Sequence, residues 1–323
     1  MTSSETAPSG DPGEDAFARR CFVYGEPPSM KIASAFSSSK KTISFEFFPP
    51  KGEAGVQSLF ETLADLVRYR PDFVSVTYGA MGSTRSLTVD LVRRITRELD
   101  LLAMAHLTCV GSSEQELLSV LLELAGAGIE NVLALRGDPP QGDASFFDKQ
   151  GGFKHADELT RFIRKSGFSF CLGGACYPEM HPEAESAESD LEHLKRKVDS
   201  GVEFLITQLF FDNADYFRFI ERLERAKIHV PVVAGLMPIT NVAQVKRFTQ
   251  LCGAKVPQEL LRRLEACEED RAQVRAIGVE HATQQAEGLL AGGAQGLHFY
   301  TLNRSLATRE ILDNLRSSGA VPA

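Results

Sequence analysis

From Lys41 onward the sequence alternates between short β-rich runs and longer amphipathic segments, and this repetition excludes most architectures. The β-rich runs fall at Thr42–Phe47, Phe73–Thr77, Met104–Cys109, Asn131–Arg136, Ser169–Cys176, Phe204–Leu209, Val230–Leu236 and Gly296–Tyr300, eight in all. Between them the apolar residues recur at i, i+3, i+4 and i+7, the spacing of a helix with one buried face. Leu117, Val120, Leu121 and Leu124 show it well. Helices are expected over Val56–Tyr69, Ser86–Leu99, Glu114–Ala127, Ala187–Ser200, Ala214–Ala226 and Val242–Leu251, with Gln258–Ala266 and Ala272–Leu290 before the last strand. Eight strand-helix units predict an α/β fold in which a parallel sheet closes on itself, a single (β/α)8 TIM barrel over residues 41–323. An open sheet binding a dinucleotide would carry G-x-G-x-x-G after its first strand. The glycines of Gly292-Gly293-Ala294-Gln295-Gly296 have another spacing and precede a strand.

Residues 1–40 are rich in Ser, Pro and Gly and lack periodicity, so a flexible N-terminal tail is expected there. The formal net charge of −8 leaves no basic stripe to displace counterions, and no nucleic-acid partner is expected. No apolar run reaches the roughly 20 residues of a membrane span, so no membrane partner is expected either. Glu5, Asp11, Glu14 and Asp15 disfavour an organelle presequence, and the N-terminus lacks a signal's apolar core, which points to the cytoplasm. The six cysteines, Cys21, Cys109, Cys171, Cys176, Cys252 and Cys267, form no CxxC pair and no zinc-spaced cluster. They are expected to be reduced thiols, with no metal site.

In a barrel of this kind the active site lies at the carboxyl ends of the strands. Polar and ionisable residues gather there: Glu46 on the first strand, Thr77 and Tyr78 after the second, and His106 and Thr108 on the third. Arg136, Gly137 and Asp138 end the fourth, Tyr177 and His181 follow the fifth, Gln208 ends the sixth, and Leu302 and Arg304 follow the eighth. Side chains alternate along a strand, so Ser44, Glu46 and Phe48 share one face. Taken singly, each has a structural reading. A strand-end Glu is often an ion-pair partner, and Arg136 with Asp138 suits a rim ion pair. It is the recurrence at successive strand ends that favours a functional rim.

Seven of these segments, in order, resemble methylenetetrahydrofolate reductase. They are Phe45-Glu46-Phe47-Phe48-Pro49-Pro50, Ser75-Val76-Thr77-Tyr78-Gly79, His106-Leu107-Thr108-Cys109, Ala134-Leu135-Arg136-Gly137-Asp138, Tyr177-Pro178-Glu179-Met180-His181-Pro182-Glu183-Ala184, Thr207-Gln208 and His298-Phe299-Tyr300-Thr301-Leu302-Asn303-Arg304. The resemblance implies reduction of 5,10-methylenetetrahydrofolate to 5-methyltetrahydrofolate through noncovalent FAD, with NADH or NADPH as donor, in one-carbon metabolism and methionine supply. It implies Glu46 as general acid, Asp138 as the carboxylate near flavin and folate, and Gln208 as a contact to substrates stacked on the flavin. FAD-binding positions would be Thr77, Tyr78, Ala80, His106, Arg136, Gly137, Asp138, His155, Ala156, Tyr177, His181, Ala184, Asp190, His193, Arg196 and Lys197. Folate contacts would extend to Gln244, Phe248, Leu302 and Arg304. The chemistry suits these types: opening the methylene bridge needs an acid and leaves a cation that an anion can stabilise.

His155 departs from the tyrosine common in bacterial members, and the sequence ends soon after the barrel, as in a barrel-only form. A homo-oligomer is expected. The competing readings are a barrel of the same family fed by ferredoxin or a partner flavoprotein, and a non-catalytic flavin- or folate-binding barrel.

Overall fold

The computed structural model describes residues 31–37, 40–78, 85–137 and 152–322. Within them, β1 (Thr42–Phe47), β2 (Phe73–Val76), β3 (Ala103–Thr108), β4 (Asn131–Leu135), β5 (Cys171–Cys176), β6 (Phe204–Thr207), β7 (Val232–Leu236) and β8 (Gly296–Tyr300) pair in sequence order into a closed, wholly parallel barrel. The ladder between β1 and β8 closes it, with Ser44 opposite His298 and Glu46 opposite Tyr300. Helices α1 (Gly52–Val67), α2 (Arg85–Leu99), α3 (Glu114–Gly126), α4 (Ala156–Lys165), α5 (Ala187–Asp199), α6 (Asn213–Arg225), α7 (Val242–Cys252), α8 (Gln258–Glu265), α9 (Arg271–Ala291) and α10 (Leu306–Ser317) follow the strands. The expected (β/α)8 barrel is the fold.

Strand sequence and strand environment agree. A barrel strand is covered on both faces, which favours apolar, β-branched and aromatic runs. Ile43, Phe45 and Phe47 alternate outward into the main core with Val74, Val76, Leu107 and Phe299, beneath the helices. Inward-facing residues are of two kinds. Phe73, Met104, Leu133, Cys171, Phe204 and Val233 form an apolar layer in the lumen. The rest of the lumen holds Ser44, Glu46, Ser75, His106, Thr207 and His298, all buried.

The apolar layer has a cover that the composition did not suggest. The boundary of the expected flexible tail at residue 40 includes Ile32–Ser37, which form a 3-10 helix on the barrel. Ile32 is fully buried, and its N–H donates to Asn131 Oδ1 at 2.8 Å. Phe36 packs against Phe204 with ring centroids 5.5 Å apart. Ile32–Ser37 therefore belong with the barrel, because Ile32 and Phe36 find their partners there.

Several helix starts facing the rim are fixed by side chains. Ser113 and Glu116 form a reciprocal capping box on α3, and Asp212, Asn241 and Asp270 cap α6, α7 and α9. At α4, Glu158 accepts from the backbone N–H of Lys154 at 2.7 Å and of His155 at 3.0 Å. That carboxylate fixes where His155 and Ala156 stand. No helix among the described residues is long and apolar enough to cross a membrane.

Candidate active site

Glu46 is 7% exposed, and its Oε2 lies 3.5 Å from His106 Nε2 and 3.6 Å from His298 Nε2. Neither imidazole nitrogen has a hydrogen-bond partner among the described residues. Burial pushes the His106 imidazole down to about 4, against the opposing pull of the Glu46 carboxylate. At neutral pH His106 is therefore uncharged, and it gives Glu46 no cationic counter-charge. His298 is fully buried, with Nδ1 at 2.8 Å from Ser44 Oγ and its ring stacked 5.9 Å from Phe73.

Beyond the histidines the lumen is spanned by Tyr300. Its hydroxyl donates to the Thr207 carbonyl at 2.6 Å, and burial raises its pKa well above the phenolic range. The ring passes directly over Gly235 of β7, where a Cβ would lie 2.8 Å from the Tyr300 ring and 2.3 Å from the Thr207 oxygen. Only glycine fits beneath that crossing. Next to it, Gln208 follows β6, its N–H donating to the Cys176 carbonyl at 2.7 Å and its Oε1 accepting from Leu209 N–H at 2.8 Å.

A cavity opens beside this centre, beyond the ends of β4 and β5. It is lined by Arg136, His155, Ala156, Tyr177, His181, Ala184, Asp190, His193, Arg196 and Lys197, among others. The turn leading into it requires Gly137, whose φ is +87° and where a Cβ would stand 2.9 Å from Thr108 Cβ. Arg136 forms a two-pronged ion pair with Glu183. His181 packs edge-on against Tyr177 at 4.6 Å, and its backbone N–H donates to Asp190 Oδ2 at 3.0 Å. Its Nδ1 accepts from Glu183 N–H at 3.1 Å, so a neutral His181 carries its proton on Nε2 as a donor. Lys197 donates to the Ala175 carbonyl at 2.7 Å, and burial lowers its pKa. An anion in the cavity would offset that burial, so the donor set suits a polyphosphate. Asp190 lines the same cavity and anchors the His181 backbone.

The cavity thus gathers ten of the positions expected for FAD. Thr77, Tyr78 and His106 lie outside its lining, at the ends of β2 and on β3. Thr77 donates its N–H to the Phe47 carbonyl at 2.9 Å, and Tyr78 packs on the main core. Phe248 and Leu302 meet in one apolar cluster with Tyr300, while Gln244 stands exposed in the first turn of α7 and Arg304 is exposed after β8. Ala80 and Asp138 lie outside the described residues.

A sequence model of the family named methylenetetrahydrofolate reductase matches residues 31–316. The chain belongs to the methylenetetrahydrofolate reductase family. It is 40% identical over 295 residues to methylenetetrahydrofolate reductase (NADH) 1 of Arabidopsis thaliana, covering 88% of this chain and 50% of that one. The 5,10-methylenetetrahydrofolate reductase of Escherichia coli is 35% identical over 263 residues, covering 81% and 86%. The chain thus spans about half the length of the plant relatives. A Clostridium thermocellum protein described as binding two copies of 5-methyl-5,6,7,8-tetrahydrofolic acid shares the fold, with a TM-score of 0.58, 12% identity and coverage of 89% and 98%.

Strand ends read singly do not single out His298, Tyr300 or Glu183, and they place Ser44 only on the face of Glu46. A signal for His298, Tyr300 and Ser44 existed: His298 and Tyr300 are two residues apart on β8 and share the inward face, as Ser44 and Glu46 do on β1. Nothing local marked Glu183 as the partner of Arg136.

Proposed function

We propose that this chain is a flavin-dependent oxidoreductase that reduces 5,10-methylenetetrahydrofolate to 5-methyltetrahydrofolate with electrons from NADH or NADPH. The observation that carries it is a buried carboxyl, Glu46, set between imidazole nitrogens at 3.5 and 3.6 Å, next to a cation-lined cavity at the same barrel mouth. Family membership supplies the substrate class, and the Arabidopsis relative's name supplies NADH.

Noncovalent FAD, when bound, supplies the hydride chemistry. Arg136, Arg196 and Lys197 would hold its diphosphate, with His181 donating from Nε2 and Tyr177, Ala156 and Ala184 forming the walls. Glu46 gives a proton to the folate nitrogen that leaves the methylene bridge, and Asp138 stabilises the cation that results. Gln208, Gln244, Phe248, Leu302 and Arg304 orient the substrate over the barrel mouth. His106, kept neutral by burial, places no positive charge of its own beside the Glu46 carboxyl.

The test is to separate the half-reactions under anaerobic conditions. NADH and NADPH should each be tried for bleaching of the flavin, followed by reoxidation with methylenetetrahydrofolate. In Glu46→Gln, flavin reduction should stay within about tenfold of wild type, because hydride transfer needs no acid there. Reoxidation by the folate should fall about a hundredfold or more. Equal losses in both steps would assign Glu46 to flavin placement, and no bleaching by either nucleotide would favour a protein electron donor. A colourless protein that takes up no FAD would refute the proposal outright.

A further inference from the structure

The end of β1 is held by a turn that carries an unusual backbone. Leu302 and Asn303 have φ of +52° and +57°, the left-handed region, in succession and without a glycine between them. Asparagine enters this region more readily than most residues, and leucine does so at a cost. A pair of this kind persists only where the surroundings hold it, and such pairs cluster at functional sites.

What holds it is Glu46's own strand. The β1–β8 ladder ends at Glu46 opposite Tyr300. Past that point the Asn303 carboxamide takes the place of a neighbouring strand: Phe48 N–H donates to Asn303 Oδ1 at 2.8 Å, and Asn303 Nδ2 donates to the Phe48 carbonyl at 2.8 Å. Only one orientation of the amide satisfies both bonds. Thr301 Oγ1 donates to the Glu46 carbonyl at 2.6 Å and accepts from Asn303 N–H at 3.2 Å. On the other flank Thr77 N–H donates to the Phe47 carbonyl at 2.9 Å. Pro49 and Pro50 follow and carry no N–H, so the strand end has no donor of its own beyond Phe48. The end of β1 is thus tied from both sides, and on the β8 side Thr301 holds Glu46 while Asn303 holds Phe48.

We propose that Asn303, seated by the left-handed Leu302–Asn303 turn, is a positioning residue that aims Glu46 at the folate. The carboxamide carries the pairing of β1 two residues past the end of the ladder, to Phe48, and fixes the strand end from which Glu46 projects. The same turn presents Leu302 to the cluster shared with Phe248, so the acid and one substrate contact are set by a single device. This rests on the functional reading above, in which Glu46 is the acid.

Two variants and two readouts test it. Asn303→Gly keeps the left-handed backbone without strain and deletes the carboxamide, and Asn303→Ala deletes the carboxamide and adds strain. In both, hydrogen exchange at the Phe48 amide of the full chain should accelerate at least about tenfold, as for a bond lost at a strand end, while exchange at Leu133 in β4 stays unchanged. Reoxidation of the flavin by methylenetetrahydrofolate should slow about tenfold to a hundredfold, the range for a reacting group displaced by about 1 Å. Flavin reduction by the nucleotide should remain within about threefold, because it needs no acid. A glycine variant that reoxidises like wild type overturns the proposal alone, as does an equal loss in both half-reactions. A wild-type chain that passes no electrons to the folate overturns the functional reading instead, and the positioning role with it, whatever Phe48 does.

Discussion

The neutral state of His106 can be measured as stability. In the folded protein burial holds this imidazole at about 4, while in the unfolded chain it returns to 6.5. Its folded pKa is depressed, so its contribution is fully present above about 6.5 and is lost as pH falls towards 4, because the unfolded chain then takes up a proton that the folded one refuses. A displacement of this size predicts a loss of about 2 kcal/mol between pH 7 and pH 5, reaching about 3 kcal/mol at pH 4. The perturbation is His106→Asn, which removes the titrating group. Urea denaturation of both proteins across that range gives the assay. The offset between the curves at pH 7 reports packing and is not the prediction. What is predicted is convergence: the wild type should lose about 2 kcal/mol more than the variant on going from pH 7 to pH 5. The partly buried histidines with lowered pKa values, His181 and His281, act in both proteins and cancel. Parallel curves would show that His106 titrates normally and that an imidazolium can stand beside Glu46, which would refute the reading of an uncharged neighbour.

Two further outcomes follow from packing and charge. Ile32→Ala removes a fully buried side chain from the lumen cover and should cost about 2–5 kcal/mol. Urea melts should show a lower midpoint with an unchanged slope, whereas a shift below about 0.5 kcal/mol would mean that the cover does not pack. Lys197→Met keeps the length of the side chain and removes a cation from the cavity, so FAD titrated by its fluorescence should bind at least about tenfold more weakly, as for one lost charge-assisted phosphate contact. Unaltered affinity would place the diphosphate elsewhere.

The strands were legible because burial on both faces leaves little room for polar residues, and β1 and β8 begin and end where the sequence places them. The departures have local causes. The run expected from Val230 yields a strand only at Val232, because Pro231 has no N–H to give the ladder. The run expected to Leu209 stops at Thr207, where Gln208 turns its side chain onto the next backbone N–H. Helix α4 was not singled out: it has only ten residues, and its first turn is closed by Glu158 rather than by a typical capping residue at position 155. The site was legible as a set of strand ends but not as pairs. Ser44 and His298 stand 254 residues apart, and Asn303 and Phe48 are separated by 255. Such neighbours are set by barrel closure, which no short window contains. The 3-10 turn at Ile32–Ser37 escaped for a related reason: its residues carry no helical period, and its burial depends wholly on the lumen it covers.

The lumen itself argues that the polar centre is there for chemistry. A barrel selected only to be stable fills its interior with branched apolar side chains in layers. Here one layer does so, around Phe73, Met104, Leu133 and Phe204 beneath Ile32. Elsewhere the lumen holds Ser75 Oγ, His106 Nε2 and His298 Nε2, each buried without a hydrogen-bond partner among the described residues, the two imidazoles within 3.6 Å of Glu46. A buried polar group of this kind costs about 1–3 kcal/mol wherever it stays unbonded. The apolar layer and its cover offset that cost, which is why loosening Ile32 should be felt by the whole domain. The three ties on the end of β1, from Thr77, Thr301 and Asn303, then have a common purpose: they keep the one carboxyl in this costly layer at a fixed place on the barrel mouth.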